Sequence, residues 1–159
     1  AMQVLQEAHS ITGGDIISAG GTGTFDLNEL ATEIQAGSFL FMDTRYSSVD
    51  LPFEESLTIA STIISIEKKQ RRAVCDAGVK SFATDYGKPK LKDGVIEFYS
   101  DEHSTILPTE LSDEFAFKVG DVVHLRVPHV DPTIAKHPRL VCLQEGYING
   151  DWKVDLRGW

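Results

Sequence analysis

At 159 residues the chain is long enough for one ordinary domain and too short for an eight-stranded βα barrel carrying a second domain. Acidic residues outnumber basic ones by 24 to 15, a formal charge of −9, and no basic tract is long enough to follow a phosphate backbone, which argues against nucleic acid as a partner. Hydrophobic and charged fractions of 42% and 25% are those of a folded globular protein. No apolar run approaches the roughly 20 residues needed to cross a bilayer, so no membrane partner is expected.

In chain order, Ala1 ahead of Met2 reads as an added residue, and Met2, Val4, Leu5 and Ala8 have the spacing of the tail of a longer helix. Gly13-Gly14 breaks it, Asp15–Ser18 reads as a short buried strand, and the glycine-rich Gly20–Thr24 follows. A helix is expected next: Leu27, Leu30, Ala31 and Ile34 share a face, Asp26 and Glu29 fall in the first turn, and Gly37 ends it. From Ser38 the pattern changes to short strands, expected near Ser38–Tyr46, Leu57–Glu67, Arg71–Ala77, Val95–Ser100, Asp121–Val127, Arg139–Gln144, Gly146–Ile148 and Trp152–Leu156. Lys68-Lys69-Gln70 and Asn149-Gly150-Asp151 have the composition of hairpin turns. The expected fold is mainly β, a largely antiparallel barrel or sandwich over residues 38–159, preceded by a short α/β piece over 1–37. Cys75 and Cys142 sit in strand-like runs and form no C-x-x-C pair, so both are expected as small buried residues. With no basic-then-apolar opening, a reducing cytoplasm is the expected compartment.

Two stretches can carry chemistry. A glycine run between strand and helix is either an ordinary turn or a phosphate cradle, because small residues let backbone N–H groups close on oxygens; Gly20–Thr24 matches neither the dinucleotide fingerprint nor a P-loop. In PHVDPT, His129 and Asp131 stand at i and i+2 after an apolar run. At a strand end they would point into one space, either as a histidine beside a turn-forming Asp-Pro or as a pair holding a divalent cation. His137 is near enough to join as a third ligand, although Lys136 beside it opposes a cation.

PHVDPT, ISAGGTGTF, AGSFLFMDTRY, DAGVK, DEH and the terminal WKVDLRGW, in their order along the chain, resemble the C-terminal portion of the D-threonine aldolase and D-serine dehydratase family. The resemblance implies a pyridoxal-phosphate lyase on an alanine-racemase-like fold, whose large N-terminal barrel with the cofactor-binding lysine has no counterpart here. Residues 1–37 would then be a remnant of that TIM-like barrel, and 38–159 the C-terminal β domain. By the same resemblance Gly21, Thr22 and Gly23 would receive the cofactor phosphate, His129 and Asp131 would hold manganese, zinc or magnesium, and His103 would lie near the active site as a catalytic residue. Lys80 of DAGVK would have no imine role. Ala135 and Pro138 stand where the family pattern has Asn and a later Asp, which bears on the surroundings of the metal and not on the two ligands. The expected function is the C-terminal domain of an aldolase or dehydratase acting on β-hydroxy D-amino acids. Alone it would be inactive, and it would dock on its barrel or form a homodimer. The alternative is a stand-alone β domain for interaction or small-ligand binding.

Overall fold

The computed structural model describes residues 1–110, 115–155 and 157. Among these, β-branched and apolar runs form β1 (Thr58–Glu67), β2 (Arg72–Cys75), β3 (Lys90–Leu91), β4 (Gly94–Tyr99), β5 (Ser104–Pro108), β6 (Val122–Arg126), β7 (Arg139–Gln144) and β8 (Tyr147–Lys153). The first six close an antiparallel barrel in the order β1-β2-β5-β4-β3-β6, and β7 and β8 form a separate two-stranded sheet. The expected antiparallel β domain is thus a barrel.

Alternation along the strands supplies the core. In β5, Ser104, Ile106 and Pro108 are buried while Thr105 and Leu107 are partly exposed. A six-stranded barrel has a narrow interior, and it is filled by Ile63, Ala73, Cys75, Ile96, Ile106 and Leu125, with Phe82 and Phe117 entering from connections. Each large apolar side chain withdrawn from water contributes about 1.5–3 kcal/mol. Gly94 leaves the space that Ile106 uses: a Cβ there would stand 2.7 Å from Ile106 Cγ2. The wall curls at register shifts between Ile63 and Ser65 in β1 and between Ile96 and Phe98 in β4. Two-residue β3 closes it, Lys90 pairing with both Val95 and Arg126.

The structure corrects several local expectations. The opening helix α1 (Met2–Thr12) forms and stops at Gly13, but buries none of its residues. No helix follows the glycine loop. Instead Ser18 and Glu33 form a parallel bridge, with Ala19 N–H donating to Glu33 O (3.1 Å) and Gln35 N–H to Gly20 O (3.3 Å). The reason lies in Asn28, whose Oδ1 accepts from Leu30 N–H and Ala31 N–H and so offers the backbone a turn in place of a helix. Ile16, expected in a buried strand, is exposed. Ser38–Tyr46 is no strand: it holds a 3-10 turn at Ser38–Leu40 and leads into another at Tyr46–Ser48, about Met42 at φ 53°. The terminal hairpin turns at Glu145-Gly146, both with positive φ, and Asn149-Gly150-Asp151 lies within β8, where a register shift leaves Asn149 unpaired opposite Cys142 and Leu143. Leu156 lies outside the described residues. Cys75 is buried as expected, whereas Cys142 is half-exposed on the hairpin.

Candidate metal centre

After β6 the chain passes buried Val127 and Pro128 and reaches His129, whose φ −151° and ψ 121° keep it extended. The extended geometry expected for Asp131 does not follow, because a short helix α2 (Val130–Ile134) begins one residue after the histidine. Pro132 fits the first turn, where a helix has no use for its missing N–H. The free Val130 N–H at the head of the turn is taken by the buried Asp43 carboxylate, Oδ2 at 3.1 Å. The other oxygen of Asp43 accepts from Arg45 N–H and Tyr46 N–H at 3.1 and 3.0 Å, so one side chain fastens the AGSFLFMDTRY segment to the start of α2.

Although Asp131 is helical, its side chain still meets that of His129: Nε2 and Oδ2 are 3.6 Å apart. Donors about 2.1 Å from one cation stand roughly 3–4 Å from each other, so this separation, with one imidazole nitrogen and one hard carboxylate oxygen, fits manganese, magnesium or zinc. Among the described residues no group of three or more His, Cys, Asp or Glu side chains is arranged to hold a metal, so the remaining positions would be water. The opposite ring nitrogen, Nδ1, is 2.5 Å from Asp85 Oδ2. Tyr86 packs its ring 4.7 Å from the imidazole, and the Arg45 guanidinium lies 3.5 Å over Tyr86.

The segment that carries Asp85 is laced to α2 at every second residue. Ser81 O accepts from His137 Nε2–H (2.7 Å), Ala83 N–H donates to Thr133 Oγ1 (3.1 Å), and Asp85 reaches His129. Thr133, fully buried, donates in turn to His129 O at 2.6 Å. His137, considered as a third ligand, is thereby committed to the Ser81 carbonyl. Sequence reasoning missed Asp43 and Asp85. Asp-Thr before Arg-Tyr has the composition of a side-chain-capped turn and could have suggested Asp43, whereas Asp85 in TDYGK has no signal beyond a turn.

The other expected site residues sit apart from this pair. Gly21 is extended (φ −154°, ψ −167°) at the head of the single 3-10 turn Thr22–Thr24. Thr22 is buried with Oγ1 accepting from Phe39 N–H (3.2 Å), and a Cβ on Gly23 would meet Tyr46 Cε1 at 3.3 Å. Backbone N–H groups are what such a loop can offer an anion, and that of Gly21 already donates to Thr24 Oγ1 (3.3 Å). His103 is exposed in the turn before β5, and no hydrogen bond joins it to His129 or Asp131. Lys80 pairs with Glu102 at 2.7 Å, and that hydrogen bond pushes its ammonium pKa up, which opposes nucleophilic use of the amine.

The barrel and this pair define a β domain with a histidine and an aspartate facing each other at the junction of a strand and a one-turn helix. The family model described as "Putative serine dehydratase domain" matches residues 56–143, more than half of the chain, and the chain belongs to that family. It is 33% identical over 155 residues to D-threonine aldolase from Arthrobacter sp, and 31% identical over 159 to 3-hydroxy-D-aspartate aldolase from Paracoccus denitrificans. Both matches cover 91% of this chain, which spans about 40% of the length of these relatives. The crystal structure of D-threonine aldolase from Filomicrobium marinum superimposes with a TM-score of 0.86 at 26% identity, covering 98% of this chain and 44% of that one.

Proposed function

We propose that the chain is the C-terminal domain of a lyase that needs pyridoxal phosphate and a divalent metal and acts on β-hydroxy D-amino acids as an aldolase or dehydratase, residues 38–159 forming that domain and 1–37 a piece of the preceding barrel. One observation carries the reading: His129 Nε2 and Asp131 Oδ2 face each other at 3.6 Å on a chain whose relatives are hydroxy-amino-acid aldolases. His129 and Asp131 hold the cation and so orient a substrate hydroxyl beside them. Gly21, Thr22 and Gly23 form the loop that receives the cofactor phosphate, the Gly21 N–H being held by Thr24 Oγ1 (3.3 Å), and His103 is offered from the β4–β5 turn as a proton-handling group. When bound, the metal supplies Lewis acidity and the cofactor an electron sink. By itself the chain is inactive, because the cofactor lysine is not among its assigned residues and most of the cofactor's burial would come from the barrel. The compartment in this reading is the cytoplasm, and the partner is the barrel or a second copy.

Calorimetry with manganese and zinc on the wild type, His129→Ala and Asp131→Cys tests the pair. The wild type should bind both weakly, His129→Ala should bind neither, and Asp131→Cys should shift preference toward zinc as soft thiolate replaces hard oxygen. Equal binding by His129→Ala, or none by the wild type at millimolar metal, would contradict the assignment.

A further inference from the structure

The imidazole of His129 has two edges, and only one faces Asp131. The other is 2.5 Å from Asp85 Oδ2. A carboxylate only accepts, and it is at hydrogen-bond distance from Nδ1 but 3.6 Å away at Nε2, so in the neutral ring the single proton is placed on Nδ1 and Nε2 keeps its lone pair on the side of Asp131. Asp85 cannot share a cation bound at Nε2, because it lies on the far side of the ring. We propose that Asp85 is a positioning residue for the proposed metal pair: it fixes the tautomer and the plane of the His129 imidazole so that Nε2 is presented as the ligand nitrogen. This rests on the metal reading of His129 and Asp131.

Three features make the arrangement a built one. The Ser81–His137, Ala83–Thr133 and Asp85–His129 contacts step two residues along one segment for every four along the stretch that contains α2, in the opposite sense, so the register that places Asp85 is set by contacts other than its own. The middle rung is the least accessible, since Thr133 is 0% exposed and its hydroxyl both accepts from Ala83 N–H and donates to His129 O. Beside the acid, Tyr86 places its ring 4.7 Å from the imidazole at 54°, which limits rotation about the histidine side chain. A ligating histidine whose second nitrogen donates to a carboxylate is both more basic and better oriented, and loss of such a partner typically weakens metal binding about 10–100-fold.

The test uses the chain as it is, with Asp85→Ala, Asp85→Asn and Asp85→Glu. The metal-free protein is read by the nitrogen chemical shifts of His129 at a pH where the imidazole is neutral, and manganese affinity is read by calorimetry. Wild type should show the Nδ1–H tautomer. Asp85→Ala should move toward Nε2–H and bind manganese about 10–100-fold more weakly. Asp85→Asn should fall between them because its amide oxygen still accepts, and Asp85→Glu should restore part of the affinity. The melting temperature should hold in all three, since the Asp85 side chain is 48% exposed, whereas a merely structural role would move melting and leave the tautomer alone. An Nε2–H tautomer in the metal-free wild type overturns the proposal whatever the metal does. Unchanged affinity in Asp85→Ala, with His129→Ala unable to bind, overturns it while leaving the metal pair standing. Failure of the wild type to bind metal, with the Nδ1–H tautomer present, sinks the metal pair and with it the purpose assigned to Asp85.

Discussion

Single carboxylates fasten this molecule together, and each does so by accepting from several donors at once. Asp43 satisfies two N–H groups of its own turn and one at the head of α2, and Asp76 accepts from Thr62 N–H (2.7 Å) and Ser61 Oγ–H (2.8 Å) beside the β1 register shift. Glu55 takes both arms of the Arg126 guanidinium, Nε at 2.7 Å and Nη2 closer still, which ties the segment before β1 to β6. The Arg126 hydrogen bond holds the Glu55 carboxyl below its usual value of 4.5. A carboxyl depressed in the folded state stabilises above its unfolded pKa and loses that contribution as pH falls through the folded one. Wild type should therefore exceed Glu55→Gln in denaturant stability by about 1 kcal/mol at neutral pH, a value kept small because Arg126 is half-exposed, and the gap should close below about pH 4. A gap that persists unchanged into stronger acid would remove the ion pair as its cause.

At the scale of elements, the segment from Ala77 to Tyr86 links the barrel to the site. Its first constraint is Gly78, where a Cβ would lie 2.3 Å from Ser100 O and 2.6 Å from the Asp101 carbonyl carbon. Val79 N–H and Lys80 N–H bond to Ser100 O and Asp101 O, both at 3.0 Å, so neither chain can yield without breaking those bonds. Gly78→Ala should cost about 1–3 kcal/mol or more in chemical denaturation. A melting curve superimposable on the wild type would show that the close approach relaxes freely. The backbone that the glycine of DAGVK admits comes from more than twenty residues further on and leaves no local trace. Much of the barrel was legible for the opposite reason: β1, β2, β4 and β6 are β-branched runs with adjacent turn residues, and the turn at Lys68-Lys69-Gln70 pairs the first two. β5 was not, because it begins at Ser104 beside a polar DEH turn and buries Ser104 through a bond from Oγ to Ala77 O, 2.6 Å, that periodicity does not reveal. The Leu27–Ile34 stripe misled because Asn28 captures the backbone, and Asn149-Gly150 misled because Glu145-Gly146 already makes the turn four residues earlier. At the site, His129 and Asp131 were legible as a pair and their helical setting was not, since Val130 N–H is capped by Asp43, 87 residues earlier in the chain.

For the whole molecule, the contrast is between a barrel with its own core and an N-terminal stretch without one. α1 buries no residue, and Val4, Ile11, Ile16 and Leu27 are all exposed, in keeping with the proposal that 1–37 completes its packing against a barrel or a second copy. No helix among the described residues is long and apolar enough to cross a membrane. The His129–Asp131 pair follows β6 of the barrel, so the metal binding proposed for it can be examined on this chain directly. The most direct measurement is paramagnetic broadening of the five histidine imidazole signals as manganese is added. The His129 resonance should disappear first, at substoichiometric metal, and those of His9, His103, His124 and His137 only at higher metal; broadening that begins at another histidine, or spreads evenly over all five, would contradict the assignment.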